Sequence, residues 1–253
     1  MNKAVSGVVL KAKPCGERDM VLTLLTAEEG RIHVLARGVG RNRKQSALYA
    51  QNFVYSQFQL FRGRGMYVVD AAEPEAAFYN LRQNLSRLAL AQYFADVAER
   101  IGTGPEGGEL LSLLLNSLYL LSDTELDETL LKVVYEVRVC QLEGSFPDLA
   151  CGICGAPPRR WSFREGFFCE SCPCQEATDL TPGMAAALAH ICAGEGKRMW
   201  SFFLNRESLT YLSRLTGAYV EWVTDTRFDS LNYYNSLVEF SAAVGDKEDN
   251  AHD

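Results

Sequence analysis

The sequence predicts an α+β protein: a small closed β-barrel first, then helices with a four-cysteine knuckle set among them. Three observations carry this. Apolar residues alternate with period two from Val5 to about Glu73, as half-buried strands require. From Glu75 the period lengthens to 3.6, the mark of amphipathic helices. Two C-x-x-C pairs, Cys151/Cys154 and Cys169/Cys172, stand fourteen residues apart within the helical part.

The strands read in order. Val5–Leu10 is the first. Met20–Thr26 is the second, with Met20, Leu22 and Leu24 on one face, and Ala27-Glu28-Glu29-Gly30 turns the chain. In Arg31–Arg37, Ile32, Val34 and Ala36 face inward while Arg31, His33 and Arg37 face out. Phe53–Phe61 buries Val54, Phe58 and Leu60, and Arg62-Gly63-Arg64-Gly65 leads into Met66–Ala71. Five strands with one long connection between the third and fourth suit an OB-fold barrel, with an SH3-like barrel as the alternative. Pro74 is expected to close the barrel, giving a first domain of residues 1–76.

Helical stripes follow through Phe78, Leu81, Leu85 and Leu88 to Ile101, then from about Gly107 to Leu121 and from Asp127 to Glu143. In the last, Lys132, Glu136 and Arg138 are expected to face solvent or another module. Thr181 and Pro182 have the chemistry of a helix N-cap and first turn, and Ser208–Val223 supplies a further helix. The helical domain is thus expected over 77–148 and 177–242, the cysteine insertion over 149–176, and a disordered acidic tail over 243–253.

Four thiolates at this spacing form a closed tetrahedral Zn²⁺ site, structural rather than catalytic. The expected ligands are Cys151, Cys154, Cys169 and Cys172, with Cys174 able to stand in for Cys172. Gly152 and Gly155 provide backbone freedom for the knuckle turn. Trp161–Phe168 reads as a hairpin turning at Glu165-Gly166.

Charge is unevenly spread. The formal net charge is −7, yet residues 1–80 carry eleven Lys/Arg against seven Asp/Glu, and the remainder fourteen against twenty-five. A basic barrel joined to an acidic helical body points to a polyanion at the barrel and another task behind it. The connection Gly38-Val39-Gly40-Arg41-Asn42-Arg43-Lys44 is glycine-flexible and cationic, as phosphate contacts need. Candidate DNA-binding residues are Arg37, Arg41, Arg43, Lys44, Arg62, Arg64 and Arg31, with Tyr55 and Tyr49 to stack on bases. One alternative is a zinc-containing interaction scaffold whose barrel binds a protein. Another is a zinc-ribbon reader using Arg159, Arg160 and Arg164.

Other classes recede. Three histidines and no nucleophile–base or carboxylate pairing give no catalytic constellation, so an enzyme is not expected. No signal peptide or membrane span is apparent. Eight cysteines, half of them in a metal pattern, favour a reducing cytoplasm.

Several motifs resemble one family. Gly7-Val8-Val9-Leu10, Gly16-Glu17-Arg18-Asp19, Leu24-Leu25-Thr26-x-x-x-Gly30 and Ala36-Arg37-Gly38-x-Gly40 are similar to the bacterial RecO family of DNA repair proteins. So are Tyr135-Glu136-x-Arg138 and Gly144-x-x-Pro147-Asp148-Leu149 leading into Cys151. One departure is Pro14-Cys15-Gly16, where the family usually carries an aromatic. The resemblance implies a nucleoid-associated recombination mediator that binds single- and double-stranded DNA and anneals strands without ATP. It also implies partnership with RecR in the RecF pathway, contact with the C-terminal tail of SSB, and help in loading RecA onto SSB-coated DNA. An acidic tail with an apolar end needs an apolar groove beside a cation, for which Arg138, Lys132, Arg206 and Arg214 are candidates.

Overall fold

The first strand does double duty. β1 (Asn2–Cys15) pairs antiparallel with β2 (Asp19–Thr26) through its C-terminal half and with β4 (Val54–Arg62) through its N-terminal half. A bulge between Val9 and Lys11 bends it from one neighbour to the other. β3 (Gly30–Ala36) lies against β2, and a short parallel pairing of Val34 with Tyr67 joins it to β5 (Tyr67–Ala77). β5 returns to β4, so the order β1-β2-β3-β5-β4 closes an OB-type barrel. This computed structural model describes residues 2–39, 45–104 and 107–249.

The alternation read from sequence fills the interior: Val5, Val9, Leu22, Leu24, Val34, Ala36, Phe58 and Leu60 form one buried cluster. Two strands run past their expected bounds. β1 is longer at both ends than Val5–Leu10, and β5 continues past Pro74. Pro74 is tolerated because it faces Ser56 at a bulge, where the ladder does not require its missing N–H. The long connection re-enters the sheet through a 3-10 helix, Gln45–Ala50. At its end Phe53 takes a left-handed backbone, φ 67°, and donates its N–H to the Val9 carbonyl at 2.8 Å.

A second 3-10 helix, Tyr79–Gln83, precedes α1 (Leu85–Ile101), whose first turn is capped by the Asn84 side chain accepting from Arg87 N. α2 (Gly108–Asp123) and α3 (Glu128–Leu142, capped by Asp127) follow. The later helices are α4 (Pro182–Ala193), α5 (Arg206–Thr224) and α6 (Asp229–Asp249). Thr181 caps α4, accepting from Met184 N at 3.2 Å. α6 has no counterpart in the sequence reading. Its backbone is helical to Asp249, where a disordered tail from 243 is expected; Ala242, Ala243 and Val244 do not oppose a helix, and 250–253 lie outside the described residues.

The chain divides into two compact units, Met1–Glu125 with Phe228–Asp253, and Leu126–Arg227. The sequence boundaries place all helices in one domain, whereas α1, α2 and α6 share the first unit with the barrel. Glycines explain the tie. Arg31 N donates to the Gly102 carbonyl and Gly107 N to the Ala27 carbonyl, so the β2–β3 turn lies directly on the loop between α1 and α2. A Cβ on Gly30 would stand 2.1 Å from the Gly104 oxygen, and one on Gly107 2.2 Å from that of Thr26. α6 closes on α1 through Phe228 edge-on to Tyr93 and Ser230 donating to Asp96.

In the second unit α3 packs on α5, and the expected solvent face of α3 is a correction. Lys132 and Glu136 are both buried, with Tyr135 between them in sequence. Lys132 Nζ reaches Glu136 Oε1 at 2.8 Å and donates to the Ser213 carbonyl at 2.7 Å, while Thr216 donates to Glu136 Oε2 at 2.6 Å. A charged pair survives burial when its partners are met in this way.

Candidate nucleic-acid interface and metal centre

The barrel's cations sort into two sets. Lys3 pairs with Glu29, Lys11 with Glu99, and the Arg31 guanidinium donates to the Glu99 carbonyl in the last turn of α1. Arg31, expected to touch DNA, is thus committed to the helix end, where carbonyls attract cations. Arg37, Arg62 and Arg64 are exposed and make no ion pair with the described residues. The turn Arg62–Met66 borders an open cleft of about 530 Å³ whose other wall is Ile32, His33 and Tyr67. His33 is held by Thr23 Oγ1, 3.2 Å from its Nδ1. In OB-folds this strand face and this loop are the usual ligand surface.

Arg41, Arg43 and Lys44 lie outside the described residues. Tyr55 is half-buried on β4. Tyr49 is turned inward, edge-on to Phe58 at 6.2 Å, and burial pushes its hydroxyl pKa up. It is a core residue rather than a stacking platform.

The metal centre assembles as the spacing requires. The sulfurs of Cys151, Cys154, Cys169 and Cys172 all lie within 4.8 Å of one another, Cys154 and Cys169 at 3.7 Å. A tetrahedron built on metal–sulfur bonds of about 2.3 Å has edges of about 3.8 Å, so the set fits one ion. Cys174 packs against the cluster without joining it. The first turn is fixed by Gly155 N donating to the Cys151 carbonyl, with Gly155 at φ 73°. Gly152 has no such φ, contrary to expectation. Arg160 holds the second turn, its guanidinium donating to the carbonyls of Cys169, Glu170 and Cys172.

Proton affinity differs among Cys151, Cys169 and Cys172. Backbone hydrogen bonds from Cys169 and then Cys154 lower Cys151 to about 6, and those of Cys172 and Ser171 lower Cys169. Hydrogen bonds with Cys169 and Cys154 push Cys172 up to about 12. Donors already aimed at two sulfurs favour the thiolate form that a cation needs.

The knuckle continues into β6 (Arg160–Ser162) and β7 (Gly166–Phe168), the expected hairpin, with β8 (Thr178–Asp179) on its other edge. Trp161 stacks on Phe167 and lies 4.7 Å from Tyr219 of α5, while Phe146 is edge-on to both Trp161 and Tyr219. Tyr219 also donates its hydroxyl to the Ser145 carbonyl. Beside this cluster Phe163, Ala218 and half-exposed Trp222 line a groove of about 670 Å³, edged by Arg227 and Asp225. Of the four helical cations expected near a groove, Lys132 is sealed in. Arg138 is turned onto Gln141 and the Cys192 carbonyl. Arg206 and Arg214 are exposed on α5, Arg214 one turn before Ala218. Arg160, a candidate for a zinc-ribbon reader, is occupied by the knuckle.

The Tyr135-Glu136-x-Arg138 motif therefore holds α3 to its neighbours. Sequence missed this because an i,i+4 charge pair ordinarily faces water. Among the described residues no helix is long and apolar enough to cross a membrane.

Residues 1–78 match the family model described as Recombination protein O N terminal, and residues 82–232 the model described as Recombination protein O C terminal. The DNA repair protein RecO of Acetivibrio thermocellus is 30% identical over 240 residues, 92% of this chain and 96% of its own. That of Alkaliphilus metalliredigens is 34% identical over 173 residues, covering 66% and 70%. That of Desulforamulus reducens is 26% identical over 250 residues, covering 95% and 97%.

Proposed function

Because the chain belongs to the recombination protein O family of DNA repair proteins, we propose that it is a recombination mediator whose barrel holds the DNA backbone. The observation that carries this is the contrast among barrel cations: Lys3, Lys11 and Arg31 are tied to partners, whereas Arg37, Arg62 and Arg64 are exposed, the last two lining an open cleft. Arg41, Arg43 and Lys44 extend that set by sequence. Phosphate contacts of this kind are indifferent to base identity, which suits binding of single and double strands and annealing. No nucleotide is needed for such work.

The four-cysteine cluster binds Zn²⁺ in this reading, since a thiolate-only tetrahedral set favours that ion and leaves no open position. The second unit serves proteins. The SSB tail docks along α5, its apolar end in the groove of Phe163, Ala218 and Trp222 and its carboxylates toward Arg214. With RecR, the chain then helps RecA onto SSB-coated DNA. The test is a fluorescence anisotropy titration of single-stranded DNA against salt. Replacing Arg62 and Arg64 by Ala should lower affinity for every sequence and flatten the slope of log K against log salt by about 0.7 per lost contact. A barrel that serves a protein instead would give no DNA binding in the parent chain.

A further inference from the structure

We infer that Tyr79 and Arg82 form a stacking subsite for single-stranded nucleic acid, beside Gln51 at the end of the long connection between β3 and β4. The inference rests on the DNA-binding reading above and extends it to residues outside the barrel.

Tyr79 begins the short 3-10 helix before α1 and is 53% exposed, although an aromatic ring gains from burial. Residues three apart eclipse on a 3-10 helix, and the Arg82 guanidinium carbon accordingly lies over the Tyr79 ring, 5.6 Å from its centroid. Arg82 Nη2 also donates to Gln51 Oε1 at 3.2 Å. Its partners among the described residues are a ring and an amide oxygen rather than a carboxylate, so its charge is left for a phosphate. The turn is pegged from beneath: Asn80 donates to Asp123 at 3.1 Å, and Gln83 donates to Asn80. These bonds fix the turn that carries the ring, and Arg82 covers one of its faces.

Gln51 ties this platform to the connection that carries Arg37. It directly follows the 3-10 helix Gln45–Ala50, whose six residues rise about 12 Å. That is about three to four nucleotides at about 3.4 Å each. A strand held beside Gln45, where the described chain resumes, therefore reaches Tyr79 within the site size of one OB-fold, about four to sixteen nucleotides. Every base has a π-face, and an arginine beside the ring adds cation–π attraction, so the platform accepts any base.

The test uses the full chain and two thymidine oligonucleotides, of about four and about sixteen nucleotides, followed by anisotropy. Tyr79→Ala should weaken the long oligonucleotide about tenfold and leave the short one unchanged, while Tyr79→Phe binds both like the parent. Arg82→Ala should flatten the salt slope by about 0.7 for the long oligonucleotide alone. Equal binding of both lengths by Tyr79→Ala and the parent overturns the subsite, as does an equal loss for both. If Arg62→Ala/Arg64→Ala loses binding in that case, the barrel reading stands without the platform; if it too binds normally, both fall. Photo-crosslinking of an iodouridine-substituted strand to the unaltered protein gives a readout free of folding effects. A crosslink at Tyr79 supports the subsite, and crosslinks confined to barrel residues overturn it.

Discussion

Lys132 Nζ lies 2.8 Å from Glu136 Oε1 one turn along α3, with 1% and 0% of the two side chains exposed. The pair is closed off by the Ser213 carbonyl and the Thr216 hydroxyl of α5, so it joins two helices as well as two charges. Removing one partner leaves a buried charge uncompensated. Lys132→Met should cost about 3–5 kcal/mol in urea unfolding, whereas Lys132→Met with Glu136→Leu should recover most of that loss. Equal instability of the single and double variants would show that the polar contacts to α5, rather than the unpaired charge, set the cost.

Gly30 and Gly38 both have left-handed backbones, φ 58° and 71°, but among the described residues only Gly30 faces another chain segment. Gly38→Ala should therefore cost about 1 kcal/mol, the conformational penalty alone. Gly30→Ala adds overlap with the Gly104 oxygen and should cost about 3 kcal/mol or more. Thermal melting of the two variants side by side measures the difference.

Cys151→Ser should release about one zinc ion per chain and loosen the hairpin beside it, because ligand binding and local folding are coupled. Plasma emission spectrometry gives the metal, and tryptophan fluorescence follows Trp161. A parent protein without metal would refute the site outright.

Burial pushes the Cys140 thiol up to about 12 and that of Cys192 to about 11. Cys15 is exposed. An alkylating reagent near neutral pH should modify Cys15 first in the folded protein, react more slowly at half-buried Cys192, and reach Cys140 only after unfolding. The raised values favour the neutral thiol in the fold. That part of the stability is complete below the unfolded thiol pKa of about 8.5 and declines as pH climbs toward 12. Peptide mapping after labelling and a melting series from pH 7 to about 10 check both statements.

Much of the first unit is legible because strands announce themselves. Leu22, Leu24, Val34, Phe58 and Leu60 alternate as the pleat demands, and all are buried. The cysteines are legible because metal geometry fixes their spacing. What sequence hides are relationships set by distant segments. Pro74 reads as a stop, and only the bulge opposite Ser56 lets β5 pass it. Tyr49 looks like a loop aromatic until Phe58 meets it from the interior. Arg31 reads as a free cation because the α1 carbonyl that binds it is sixty-eight positions away. Lys132 and Glu136 look solvated because the helix that covers them begins only at Arg206. Pro74 aside, each error leaves exposed a group that the fold gives to a partner elsewhere in the sequence.

The first unit is built from both ends of the chain, Met1–Glu125 and Phe228–Asp253, with the second unit wholly between them. On a ribosome this imposes an order of birth. The barrel with α1 and α2 emerges first but must wait for α6, which follows the second unit, before Phe228 can meet Tyr93. At about 5–20 residues per second, the intervening hundred or so residues hold that face of α1 uncovered for about 5–20 seconds. The unit made in the middle is the first with all of its own residues available, so the nascent protein matures from its centre outward.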